Sequence, residues 1–352
     1  MFAVRLNMFR VEFPDIFLSE MFGVYTNSLE YIQTMRNMMK NRILKFVLFT
    51  LLLLVLASGC VDDQEVSASS SDKPVVVVSI LPEAEFVEQV AGDQVDVMVM
   101  VPPGADPHSY EVTPGQLREL SDADMYVKVG SGLSFENVWM DRLIEVNPDM
   151  MVVDASEGIQ LRTMEAHAHE EEHEGEEEHD EAEEEHEEEA GSKDPHVWTS
   201  PQEAQIMVEN IYEGLVEIDP DNTELYTLNR DDYVGELQAT DAQIKETLAG
   251  KEGSTFMVYH PSWGYFADDY GLEQEAVEIE GKEPSVQDMQ RLIDTARQKN
   301  ITVIFVQSGF STTSAQTIAD EIGGEVVEVD PLAKDYIDNL AKVTEAFEKG
   351  LA

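Results

Sequence analysis

The chain has 352 residues, 43% of them hydrophobic, enough for two or three domains with substantial cores. Its formal net charge of −50 argues against a nucleic-acid partner, because such a surface repels phosphates. With one cysteine no disulfide can form within the chain, and the placement of the eight histidines becomes the informative feature.

In chain order, residues 1–37 carry no domain signal and read as a doubtful N-terminal extension, with translation expected to start at Met38 or Met39. Residues 38–60 then give a basic start (Lys40, Arg42, Lys45), an apolar run over 46–57, and Leu56-Ala57-Ser58-Gly59-Cys60. That order is a secretory signal peptide. Small residues leading into one cysteine resemble a lipobox, so Cys60 is the expected lipidation site and the anchor to the extracytoplasmic face of the cell membrane. A plain transmembrane anchor is the alternative, but the run falls short of the roughly 20 apolar residues a span needs. Residues 61–73 are polar and serine-rich, a flexible tether.

Beyond the tether, short β-rich runs alternate with helical stretches. Strands are expected at Val75–Ile80, Val95–Val101, Met125–Val129 and Met151–Val153, and again at Phe256–Tyr259, Glu275–Ile279, Ile301–Val306 and Glu325–Val329. Several are continuously apolar, as in strands covered on both faces. Thr113, Ser200 and Ser285 each stand as a helix cap, with an acid or amide three residues on, and Gly323-Gly324 closes a helix from Ser314 to Ile322. The fold class is α/β: two lobes, 74–218 and 252–352, each with a mostly parallel four-stranded sheet. A single long helix over 219–251 joins them, since residues 221–249 contain no proline and only Gly235 as glycine.

The first lobe is interrupted over 165–192. Residues 165–189 hold sixteen acidic side chains and five histidines (His167, His169, His173, His179, His186) with no lysine or arginine, a composition that does not fold alone. This tract reads either as an accessory metal-collecting loop or as a solvated linker. The other three histidines sit beside prolines: His108 in ADPHSY, His196 in KDPHVW and His260 in YHPSW. All three fall in loops outside strand ends, where open α/β sheets bind ligands. Asp330 ends the last strand in VVEVDPL. Three imidazoles and a carboxylate from both lobes would suit tetrahedral Zn²⁺, although loop histidines are more often merely solvated. Glu111, three residues after His108, is a candidate to orient that imidazole or merely a cap. Trp198, Trp263, Tyr265 and Phe266 flank the ligands and are expected to pack around the site and exclude water, though core packing would explain them equally well. A zinc hydrolase would need an open coordination position and a base, and no residue stands out as one. A surface adhesin would not need ligands from two lobes.

PPGADPHSYEVTPGQL, KDPHVWTSPQEA, HPSWGYFADDYGL, GKEPSVQDMQRL and VVEVDPL occur in an order that resembles the A-I cluster of solute-binding proteins, the zinc and manganese receptors of ABC importers. The resemblance covers about residues 74–350. It implies His108, His196, His260 and Asp330 as metal ligands in a cleft between the lobes, with Zn²⁺ bound as transported cargo. An ABC permease and its ATPase would be the partners, and no catalytic residue is implied. Manganese-selective members tend to carry glutamate where this chain has His260, and the acidic histidine-bearing tract also resembles the zinc branch. A manganese or mixed-metal receptor remains the alternative. Some zinc members close a disulfide in the second lobe, which this chain cannot.

Histidines of ordinary pKa, about 6.5, should make zinc binding fall from pH 7.5 to 5 by more than one proton's worth. For the anchor, Cys60→Ala should move the protein from the membrane fraction to the soluble one. A variant that stays wholly membrane-bound on fractionation would mean that the apolar run itself is the anchor.

Overall fold

Runs such as Val-Val-Val-Val at 75–78 and Val-Ile-Phe-Val at 303–306 have no alternation, so both faces of these strands must be covered. The computed structural model describes residues 73–164, 193–279, 281–307 and 312–351, all within one compact unit. Its first half carries β1 (Val75–Val78), β2 (Asp96–Val99), β3 (Met125–Lys128) and β4 (Met151–Asp154), paired in the order β2-β1-β3-β4. The second carries β5 (Thr255–Val258), β6 (Glu273–Ala276), β7 (Val303–Val306) and β8 (Glu325–Glu328) in the order β6-β5-β7-β8. Every pairing is parallel, and the two halves are wound alike. Central strands β1 and β7 are buried, whereas the edge strands β6 and β8 carry exposed glutamates that discourage edge-to-edge pairing.

Helices cover the sheets: α1 (Leu81–Ala91), α2 (Pro114–Leu120), α3 (Ser134–Val146), α4 (Pro201–Ile218), α5 (Thr223–Thr247), α6 (Gly264–Tyr270), α7 (Val286–Gln298), α8 (Thr313–Ile322) and α9 (Tyr336–Gly350). The caps act as their side chains dictate. Thr113 and Ser285 close reciprocal boxes with Gln116 and Asp288. Ser200 Oγ accepts from the amides of Gln202 and Glu203, both at 3.1 Å. Gly323 ends α8 at φ 70°, a conformation that costs glycine little. Strand β6 pairs from Glu273 rather than over Glu275–Ile279. The apolar residues that drew the expectation onward serve other ends: Val277 enters the core and Ile279 bridges Lys282.

A short 3-10 turn at Pro220–Asn222 precedes α5, whose 25 residues span about 37 Å. This helix packs on α1 and α4 of the first half and on α9 of the second, burying Tyr226, Tyr233, Leu237 and Ile244. One apolar cluster consequently runs from Val76 of β1 through Phe86 and Leu237 to Phe347 and Leu351. A second cluster, including Met257, Leu292, Ile304 and Ile318, fills the other face of the second sheet.

Phe347 organises the aromatic part of the larger cluster. It stacks on Phe256 at 4.5 Å and meets Phe305, Phe266 and Trp263 edge-on at 4.7, 5.4 and 5.7 Å. Phe347→Ala should therefore cost about 3–5 kcal/mol in metal-free unfolding. A loss under about 1 kcal/mol in a denaturant titration would contradict this packing.

Candidate metal centre

Both Asp-Pro-His words fold the same way. The aspartate reaches over the proline and accepts the histidine backbone N–H: Asp106 Oδ1 from His108 at 2.9 Å, Asp194 Oδ1 from His196 at 3.0 Å. Each histidine is thus presented by a local turn and does not depend on a regular element. His108 lies between β2 and α2, and His196 immediately before the 3-10 turn Val197–Thr199. His260 stands two residues past the end of β5.

The three imidazoles converge. Ring centroids are 4.8 Å apart for His108–His260, 5.1 Å for His196–His260 and 5.6 Å for His108–His196. One ligand atom from each lies within 4.8 Å of the others. Their outer nitrogens are engaged: His196 Nδ1 lies 2.7 Å from Asp194 Oδ1, His260 Nδ1 2.6 Å from Glu278 Oε1, and His108 Nδ1 3.1 Å from Ser134 Oγ. A carboxylate only accepts, so His196 and His260 carry their protons on Nδ1 and present Nε2 lone pairs to the centre. Those two Nε2 atoms stand 3.2 Å apart. Two nitrogens so placed need either a shared proton or a cation between them. Two nitrogens on a tetrahedral Zn²⁺, each at roughly 2.0–2.1 Å, would be about 3.3–3.4 Å apart.

Glu278 reaches His260 through sheet register. Val258 pairs with Ala276 across the parallel β5–β6 ladder, so the residues two further on, His260 and Glu278, also lie side by side. Asp194 is 1% exposed, and its second oxygen takes Arg162 Nη1 at 2.9 Å. Burial opposes its charge, but hydrogen bonds from His196 and Arg162 win, holding its pKa below the ordinary carboxylate value. Burial, reinforced by the neighbouring imidazoles, pushes His108 down to about 3. Burial also lowers His196, against the pull of Asp194.

Two expectations need revising in detail. Glu111 is exposed, and His108 Nδ1 pairs with Ser134 at the start of α3 instead. Trp263 and Phe266 belong to the core around Phe347; Tyr265 does reach the site, donating to Asp194 O at 3.0 Å. Asp330 lies outside the convergent trio of ligand atoms. Its Oδ1 accepts from Leu332 N at 2.9 Å, and it lines a cavity of about 100 Å³ with Ile80, Val101 and Ala105. Its neighbour Pro331 accepts from Trp198 Nε1 at 2.7 Å, which ties this loop to the His196 segment. Cys60 and the five tract histidines lie outside the described residues. Asp194 was legible in principle, inside the Asp-Pro-His word; Glu278, Ser134 and Arg162 left no local signal.

Two like-wound α/β halves with imidazoles converging at strand ends define a metal-binding solute-binding protein. Comparison with known families agrees: the family described as "Zinc-uptake complex component A periplasmic" matches residues 76–350. The chain belongs to this family. It is 37% identical over 290 residues to the high-affinity zinc uptake system protein ZnuA of Bacillus subtilis, covering 80% of this chain and 85% of that one. Its fold is similar to that of a ZnuA deletion mutant with zinc bound, with a TM-score of 0.70 and 37% identity over 79% of this chain and 98% of the other. The manganese-binding lipoprotein MntA of Halalkalibacterium halodurans is 27% identical, covering 88% of this chain and 100% of its own.

The lowered pKa values change the expected pH response. A histidine whose folded pKa is depressed stays neutral as pH falls through about 6.5, and protons compete with metal only nearer its own pKa. With His108 at about 3, that imidazole stays neutral between pH 7.5 and 5, and His196 takes up less proton than a free histidine would. The logarithm of zinc affinity should thus fall less steeply over that range than three ordinary histidines would require. A slope of three, measured by chelator competition, would contradict these environments.

Proposed function

We propose that this chain captures Zn²⁺ through His108, His196, His260 and Asp330 and delivers it to an ABC permease driven by its ATPase, from a lipid anchor at Cys60 on the extracytoplasmic face. The observation that carries the reading is the 3.2 Å approach of two Nε2 atoms whose Nδ1 partners are buried carboxylates. Three nitrogen donors favour zinc over harder cations such as manganese, and the relatives named for zinc uptake and zinc binding support the same choice. The similarity to MntA keeps manganese as the second reading, at lower identity.

The site reads as a receptor and not a hydrolase. Asp194 and Glu278 are each spent on the Nδ1 of a ligand, so neither faces the metal position where it would activate a water. Asp330 as fourth ligand would close the shell from the cavity side. Neutral imidazoles placed in advance bind without first ordering a loop.

Two variants divide the histidine populations. His260→Ala should remove most of the tight zinc affinity. Deleting residues 165–189 should leave one tight site within a few-fold of the intact soluble protein and abolish only weaker equivalents, because the three converging imidazoles all lie outside the tract. Calorimetric titration reads both. Loss of the tight site in the deletion would assign a primary ligand to the tract and remove Asp330 from the set.

A further inference from the structure

We infer that Arg162 is a positioning residue for metal capture: it locks the Asp194 carboxylate that orients His196, and links that lock to the segment carrying His260. The inference rests on the zinc-receptor reading above. Arg162 and Asp194 lie on paired arms, with Asp194 N donating to Arg162 O at 3.0 Å and Thr163 bridging Lys193 in antiparallel fashion. From there the guanidinium divides its donors. Nη1 takes Asp194 Oδ2 at 2.9 Å, while Nε and Nη2 take Asp268 Oδ2 and Oδ1 at 2.9 and 3.3 Å. Asp268 lies on α6, which starts four residues after His260.

The two legs of this clamp are unequal. The Asp268 side chain is 58% exposed and the Asp194 side chain 1%, so the Asp194 leg is the one that water cannot replace. Asp194 uses its other oxygen for both the backbone N–H and Nδ1 of His196. Holding Oδ2 therefore fixes the carboxylate plane, which fixes the imidazole and aims Nε2 at the metal position. The sequence also makes room for the guanidinium. A Cβ at Gly264 would come within 1.5 Å of Arg162 Nη1 and 2.5 Å of Asp194 Oδ2, so no side chain is tolerated there while the pair stands. Tyr265 completes the lock, its hydroxyl accepting from Arg162 N at 3.1 Å and donating to Asp194 O at 3.0 Å. Lysine cannot reproduce this arrangement, because it lacks the planar fork that reaches two carboxylates at once.

The test compares Arg162→Met, Arg162→Lys, Asp268→Asn and His196→Ala in the soluble protein. Three readouts are taken: zinc affinity by chelator competition, thermal midpoint without metal, and ¹⁵N-histidine spectra that report which ring nitrogen of each residue bears the proton. Arg162→Met should weaken zinc binding about 10- to 100-fold, with the His196 signals alone leaving the Nδ1–H form for a mixture. Arg162→Lys keeps the charge and should show the same spectral change at a smaller loss. Asp268→Asn should stay within about fivefold of the parent. Wild-type affinity in both Arg162 variants would overturn the inference. So would weaker binding with unchanged His196 signals and a lowered thermal midpoint, which marks a purely structural role. His196→Ala separates the two levels: wild-type zinc affinity there would overturn the site itself, whatever Arg162 does.

Discussion

An imidazole has two nitrogens, and a metal position exists only where one of each is held elsewhere. The candidate site follows from holding Nδ1 of three histidines on separate partners, two of them carboxylates that leave Nε2 facing inward. For His196 the acceptor is local, two residues back in the same turn. For His260 it depends on the β5–β6 register, since a slip of one residue would send Glu278 to the other face of the sheet. For His108 it is a hydroxyl, which can donate or accept, so this imidazole is the least constrained of the three. It also lies on the loop whose beginning lines the cavity shared with Asp330.

The electrostatics point the same way. Two buried carboxylates beside three imidazoles, with His108 and His196 held neutral by their surroundings, leave a pocket short of positive charge. Arg162 offsets part of this at one edge, but it faces Asp194 and not the metal position. A divalent cation in the centre would complete the neutralisation at the point where the lone pairs crowd. Protons are poor substitutes, because burial makes the imidazolium form costly here. Burial thus disfavours protonation of His108 and His196 relative to a free histidine.

Capture in such a frame calls for little movement of the halves. The long helix α5 is packed against helices of both, and the larger apolar cluster passes between them without interruption. Polar ties reinforce the contact next to the site: Trp198 to Pro331, Tyr336 to Trp198 O at 2.7 Å, and Ser200 to Asp269. A hinge opening would have to expose this core and break buried hydrogen bonds together. The loops carrying His108 and Asp330 border a common cavity, and rearrangement there would leave the shared core intact.

The sequence by itself determined the eight strands, the capped helices and the three histidines worth watching. These are written in short-range signals: unbroken apolar runs, a capping oxygen with its partner three residues on, and an aspartate-proline step that forces a turn. Even the boundary of β6 slipped only because buried Val277 and half-buried Ile279 mimic strand residues just past its end. What only the tertiary structure decided was the company each histidine keeps. Glu278 lies 18 residues from His260, Ser134 lies 26 from His108, and Arg162 lies 32 from Asp194. No local pattern marks such partners, because parallel pairing and loop closure bring them together only once both sheets have formed. Glu111, close in sequence to His108, points to solvent for the converse reason: proximity along a chain does not set the direction of a side chain, and packing does.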